Sequence, residues 1–120
     1  MIEEYSFGFI KIDGKDFNYD VEVRWTDEVL PLFFKERHKI GIEEVKRAID
    51  QKPNTIVIGT GESGLAEITP EAKEEIEKKG IKLIIDKTEE AVKTFNVLKE
   101  DSKEEEGVEE KVIGLFHLTC

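Results

Sequence analysis

The sequence predicts an α/β fold in three layers, with a mixed central sheet and an N-terminal β-hairpin. Three observations carry that expectation. Two short apolar runs, Thr55-Ile56-Val57-Ile58 and Ile81 to Ile85, alternate with stretches of helical periodicity, which implies parallel strands joined by right-handed crossovers. Asp13-Gly14 lies between two alternating segments near the start of the chain, the strongest short signal for a hairpin. The final run, Val112 to Leu118, adds one more strand, and with the hairpin it makes the sheet mixed. At 120 residues the chain is expected to form a single domain over 1–120, large enough for one core and too short for two.

Taken in order, strands are expected at about residues 5–12 and 15–25. In the second, Phe17, Tyr19, Val21, Val23 and Trp25 share one parity while Asp16, Asn18, Asp20, Glu22 and Arg24 share the other, the pattern of a ribbon with one wet face. Residues 26–41 are irregular, and Pro31 argues against a helix through them. Lys35, Arg37 and Lys39 make them locally basic, a pattern read as a solvated loop beside an apolar plug. A helix at about 42–51 carries Ile42, Val45, Ala48 and Ile49 on one stripe and stops at Pro53. A strand buried on both faces follows at 54–60. Thr69-Pro70 then opens a second helix, with a hydroxyl N-cap and proline at the first helical position, and Gly80 ends it. Asp86 closes the strand at 81–85, and Thr88 is expected to cap a third helix whose positive end is met by Glu89 and Glu90. Residues 99–110 read as a solvated acidic connection into a last strand over 111–119.

Composition narrows the function classes. Eighteen basic against twenty-eight acidic residues give a formal charge of −10, which repels phosphate backbones and argues against nucleic-acid binding. Cys120 is the single cysteine, so no disulfide within the chain and no cysteine-based zinc site is expected; a cytoplasmic location fits. Met1-Ile2-Glu3-Glu4-Tyr5 lacks the basic and apolar regions of a signal peptide, and no apolar run approaches the roughly 18 to 20 residues that span a bilayer. Abundant Glu and Lys are compatible with a heat-adapted source.

The site expected from the residues is the loop Gly59-Thr60-Gly61-Glu62-Ser63-Gly64. It matches G-x-G-x-x-G after a strand, with Asp86 ending the next strand, but Leu65-Ala66-Glu67-Ile68 intervenes before the helix signal. Helix amides therefore do not face the glycines, and a dinucleotide site is not expected. Two readings of the loop stand side by side. Its amides, with Thr60 and Ser63, could form a nest for phosphate or carboxylate; or the glycines could let the loop pass tightly over a neighbouring element. His117 is read as a hydrogen-bonded core or pocket histidine. Strand alternation puts it opposite Cys120, and neither catalytic residue nor metal ligand nor cofactor is assigned.

Phe116-His117-Leu118-Thr119-Cys120, together with Ile56 to Gly61, Gly64, Thr88-Glu89-Glu90-Ala91 and Phe95-Asn96-Val97-Leu98, resembles a family of small α/β proteins of unknown biochemical function from archaea and bacteria. Its eukaryotic relatives include a mitochondrial complex I assembly factor and an adipogenesis-associated protein. The resemblance covers nearly the whole chain. It implies the three-layer fold, and it implies that Gly59, Thr60, Gly61, Gly64, Asn96 and His117 gather near one pocket at the strand ends; Trp25, Arg37 and His38 match less securely. The acidic stretch Lys103 to Glu110 is longer than the family leads one to expect. No reaction comes with the resemblance. The first functional expectation is thus a non-enzymatic binding or assembly-factor-like module with a protein partner, away from membranes and nucleic acid. The second is a binder of a small anionic or phosphorylated ligand, or an enzyme, using the glycine loop with Asn96 and His117.

Overall fold

The computed structural model describes residues 1–104 and 110–120. Residues 105–109 of the expected acidic connection lie outside the described residues. The chain opens as an antiparallel meander of β1 (Ile2–Ser6), β2 (Phe9–Ile12) and β3 (Lys15–Phe17). Asp13 and Gly14 join β2 to β3 with φ of 49° and 81°, the paired positive values of the tight hairpin turn that their sequence demands.

The expected boundaries differ at both strands. A turn at Phe7-Gly8, with Gly8 at φ 74°, divides the segment expected as one strand over 5–12. The ribbon expected over 15–25 breaks after Phe17, and β4 (Val21–Arg24) leaves it to join the central sheet. The cause is a long-range anchor: Asp20 Oδ1 accepts the Leu118 N–H at 2.8 Å, which fixes the start of β4 beside the C-terminal strand.

The remaining elements are β5 (Val29–Pro31), β6 (Lys39–Ile40), α1 (Ile42–Asp50), β7 (Thr55–Thr60), β8 (Glu67–Ile68), α2 (Pro70–Lys78), β9 (Lys82–Asp86), α3 (Thr88–Glu104) and β10 (Val112–His117). The central sheet runs β5-β4-β10-β7-β9. β10, β7 and β9 run parallel, β4 is antiparallel to β10, and β5 is antiparallel to β4, so the sheet is mixed, as expected, but through β4. The hairpin expected to contribute stays outside in the separate β1-β2-β3 sheet, and the last strand is parallel to β7. Alternation along its strands sorts the core into two halves. Ile56, Ile58, Ile113 and Leu115 meet Val45, Ala48 and Ile49 of α1 and Ala72 and Ile76 of α2 on one face. Val57, Val112 and Phe116 meet Ala91, Val92 and Phe95 of α3, with Ile2, Ile10 and Ile12 of the meander, on the other. The three layers follow.

The caps behave locally. Thr69 Oγ1 accepts the Ala72 N–H at 3.2 Å, Pro70 is the first helical residue, and Gly80 stands at φ 76° past the end of α2. α3, by contrast, continues through residues 99–104 of the stretch expected as a solvated connection. Lys99 explains part of that extension: only 5% exposed, it pairs with Asp27 in the β4–β5 turn and docks the helix three turns beyond Thr88.

A second correction concerns the face expected to be wet. Glu22 is fully buried and Arg24 nearly so, because α1 covers that side of β4. Arg24 Nε reaches Glu22 at 2.8 Å, Arg47 Nε of α1 reaches it at 3.1 Å, and Arg24 also pairs with Glu28 at 2.7 Å. Opposite charges on one face thus neutralise each other under a helix, as buried charges require. Among the described residues no helix is long and apolar enough to cross a membrane.

Candidate functional site

Ligands of open α/β sheets bind outside the carboxyl ends of the parallel strands, and here those ends are Thr60, Asp86 and His117. The glycine loop leaves β7 at this edge and is met by Thr119 and Cys120. Glu62 N–H donates to the Thr119 carbonyl at 2.6 Å and Leu65 N–H to the Cys120 carbonyl at 3.0 Å. Ala66 N–H turns back to the Thr60 carbonyl at 3.1 Å. Gly61, at φ 102°, lies so close that a Cβ there would stand 2.2 Å from the Cys120 carbonyl carbon. Most of the donors that could have formed an anion nest are therefore taken by the protein itself. Of the two readings of the loop, close packing describes Gly59 and Gly61.

Thr88 ties the edge together. Its Oγ1 accepts the Gly61 N–H at 2.8 Å and donates to the His117 carbonyl at 2.5 Å, so the hydroxyl expected to cap α3 serves two other elements. Gly59 permits this approach, since a Cβ there would meet Thr88 Cα and the Phe116 ring at 3.0 Å. Thr88→Val keeps the shape but leaves a buried N–H and a buried carbonyl unpaired. It should lower the unfolding free energy by about 2–3 kcal/mol, measurable by urea denaturation, while Thr88→Ser retains most of it.

His117 is the most chemically defined side chain at this edge. Nδ1 lies 2.8 Å from Asp20 Oδ2, and Nε2 faces Thr119 Oγ1 at 3.5 Å. Phe34 stacks on the ring at 5.1 Å between centroids, and His38 approaches edge-on at 5.6 Å. A neutral imidazole held through Nδ1–H by a carboxylate keeps Nε2 as its lone-pair acceptor. His38 adopts φ 61°, and its buried Nδ1 has no hydrogen-bond partner among the described residues. On the other side of Leu118, the Tyr5 hydroxyl lies 3.0 Å from Glu62 Oε2 and 3.2 Å from the Leu118 carbonyl. Burial, reinforced by Glu62, pushes the Tyr5 phenol well up, so it stays protonated and donates.

The residues predicted for one pocket are thus divided. Gly59, Thr60, Gly61 and Gly64 share the strand-end edge with the His117 backbone; Thr60 Oγ1 donates to the Asp86 carbonyl at 3.1 Å and Gly64 packs near Lys87. Ser63 is exposed on the loop. Asn96 lies elsewhere. Two turns along α3 from Thr88, it accepts the Ile2 N–H at 3.0 Å and donates to the Ile2 carbonyl at 2.8 Å, pinning β1 to the helix. Asp20 is a site residue that sequence reasoning did not single out, and Thr88 was expected only as a helix cap and a motif residue, not as the tie between Gly61 and His117. Asp20 lies 97 residues from its histidine, and no local pattern announces such a pair.

Three clefts border α1. The largest, about 690 Å³, has Ile42, Ile49, Pro53 and Ile81 among its walls and lies toward the amino ends of β7 and β9, away from the glycine loop. A second of about 340 Å³ shares Ile42, and one of about 190 Å³ lies beside Phe33. None of these three is lined by residues 59–64. Among the described residues no three His, Cys, Asp or Glu side chains are grouped to hold a metal ion.

Fold and site together define a three-layer α/β protein whose glycine loop, after the central parallel strand, is closed by Thr119 and Cys120. Residues 2–109 match the family described as "Protein of unknown function (DUF498/DUF598)", and the chain belongs to that family. Solved structures agree on the fold. The conserved hypothetical protein PH1505 from Pyrococcus horikoshii OT3 is 26% identical with a TM-score of 0.83, over 100% of this chain and 99% of that one. The protein called MT938 is 22% identical with a TM-score of 0.81, over 100% and 98%. A protein described as an outer membrane protein from Bartonella henselae is 18% identical with a TM-score of 0.78, over 99% and 94%.

Proposed function

We propose that the chain is a non-enzymatic protein-binding module of the assembly-factor kind, acting in the cytoplasm and meeting a partner protein through the surface around Phe33 and α1. The observation that carries this reading is the contrast between the closed glycine loop and the display of Phe33. Phe33 is 81% exposed on a segment held in place by the pairing of β5 with β4 and by the stacking of Phe34 on His117. A large aromatic side chain presented on a fixed backbone is the usual anchor of a protein interface, and half-exposed Ile42 lines a cleft that shares Glu43 with the one beside Phe33. The net charge of −10 speaks against nucleic acid as partner.

The test is a photo-crosslinker placed at position 33 in the source cell, with the same group at Ser63 as control. Capture of one protein from position 33, lost on Ile42→Asp and absent at Ser63, is expected; Ile42→Asp should leave the unfolding free energy within about 0.5 kcal/mol. Equal capture from both positions would refute the assigned surface.

A second reading, a small anionic ligand or a reaction at the strand ends, rests on the imidazole held by Asp20. Its arm of the same experiment is a thermal-shift panel of nucleotides, phosphorylated metabolites and carboxylates. A ligand present at a hundred times its dissociation constant stabilises by roughly 2.7 kcal/mol, and loss of that shift in His117→Gln would favour this reading over the first.

A further inference from the structure

β9 is an edge of the central sheet. It pairs with β7 alone, and its segment Lys82-Leu83-Ile84-Ile85-Asp86 has an apolar centre with Ile85 41% exposed, whereas every residue of β7 and β10 is buried. The Lys82 N–H donates to Asn54 in the parallel ladder with β7. By the alternation of that ladder, Ile84 and Asp86 also turn their backbone groups to β7, and Leu83 and Ile85 turn theirs outward. Natural edge strands are usually blunted by a central charge, a proline or a bulge. β9 has its charges only at its two ends and neither a proline nor an irregularity in its register.

We propose that β9 pairs antiparallel with β9 of a second copy of this chain across a two-fold axis at Ile84, joining two five-stranded sheets into one of ten strands. The segment is self-complementary in that register. Lys82 faces Asp86 of the other copy and Asp86 faces Lys82, so both ends carry a cross-strand pair of opposite charge. Leu83 faces Ile85, and these are the two residues with outward backbone groups, so each such pair exchanges both of its N–H···O bonds. Ile84 meets its own counterpart at the axis. Face matching also holds: Leu83 packs with the α1 and α2 side of the core and Ile84 with the α3 side, and antiparallel pairing of equal parity keeps each with its like. Among the described residues Lys82 makes no ion pair, and the Asp86 carboxylate accepts only the adjacent Lys87 N–H. The charge of −10 on each copy opposes association, so it should be measured at physiological salt, where the repulsion is screened.

The experiment is sedimentation equilibrium from micromolar to millimolar protein on the whole chain and three charge variants. Lys82→Glu sets Glu against Asp86, Asp86→Lys sets Lys against Lys82, and the double variant restores opposite charges with the signs exchanged. Each single variant should weaken dimerisation by about tenfold, and the double variant should recover it to within about threefold. In the wild type, the Leu83 and Ile85 amides should gain protection from hydrogen exchange as concentration rises, while the Lys82 amide stays protected throughout. A monomer at millimolar concentration, or a dimer indifferent to both single variants, would overturn the proposal. Circular dichroism and melting on each variant separate loss of the dimer from loss of the fold.

Discussion

Arg24→Met is expected to lower the unfolding free energy by about 3 kcal/mol or more, a large part of the 5–15 kcal/mol that holds a domain together. Glu22 has no exposed surface, and its closest counter-charge is the Arg24 guanidinium at 2.8 Å. Removing that group leaves a buried carboxylate with Arg47 alone, and Arg47 is partly in water and also occupied by the Pro31 carbonyl at 2.7 Å. The desolvation of Glu22 would then be poorly offset. Replacing both partners, Glu22→Leu with Arg24→Met, should recover most of the loss, since an apolar pair needs no counter-charge and Arg47 can turn to solvent. Guanidinium denaturation of the two variants checks both halves. A loss below about 1 kcal/mol for the single variant would mean that water reaches Glu22.

Gly61→Ala should lose about 3 kcal/mol or more, because two independent penalties coincide. Its φ of 102° is unfavourable for any residue with a Cβ, and the atoms that Cβ would meet are backbone: the Cys120 carbonyl carbon at 2.2 Å and the Cys120 and Thr119 carbonyl oxygens at 2.7 Å. Backbone cannot rotate aside as a side chain can, so loop and C-terminal segment must part. Gly14→Ala is the control, with φ 81° and nothing within 4 Å; its loss should stay near 1–2 kcal/mol. Faster exchange of the Glu62 and Leu65 amides in Gly61→Ala would locate the damage. A consequence for function follows: substitution at Gly61 changes stability before it reports on recognition, and exposed Ser63 is the better probe of the loop.

Local chemistry was legible where a residue's role depends on its neighbours in sequence. Asp13-Gly14 names its turn, Thr69-Pro70 its helix start, and Gly80 its helix end, each through a backbone preference that acts over a few residues. The run at 55–58 reads as a buried strand because a strand covered on both faces needs no polar alternation, and β7 is buried throughout. The run at 81–85 reads the same way, yet β9 stands at the edge of the sheet with Ile85 exposed, because an apolar run does not say how many neighbours a strand has. The same logic misled at Glu22 and Arg24, where alternation signalled a wet face. Alternation reports polarity, and it cannot tell water from a counter-charge delivered by a helix that begins about twenty residues later.

The sequence by itself determined the order of the elements, the three-layer class and the strand-end position of the glycine loop, since periodicity, turn residues and the handedness of crossovers act locally or by general rule. Only the tertiary structure decided what fills that loop, which carboxylate holds His117, and where Asn96 acts. Asp20 and His117 are 97 residues apart, and Asn96 and Ile2 are 94 apart. Such pairs arise when separate elements are brought side by side by the burial of their apolar faces, and no spacing within either segment encodes the meeting. The closure of the glycine loop has the same origin. Its donors could serve an anion or the chain's own carbonyls, and the choice fell to whichever acceptor the pairing of β10 with β7 carried to the sheet edge.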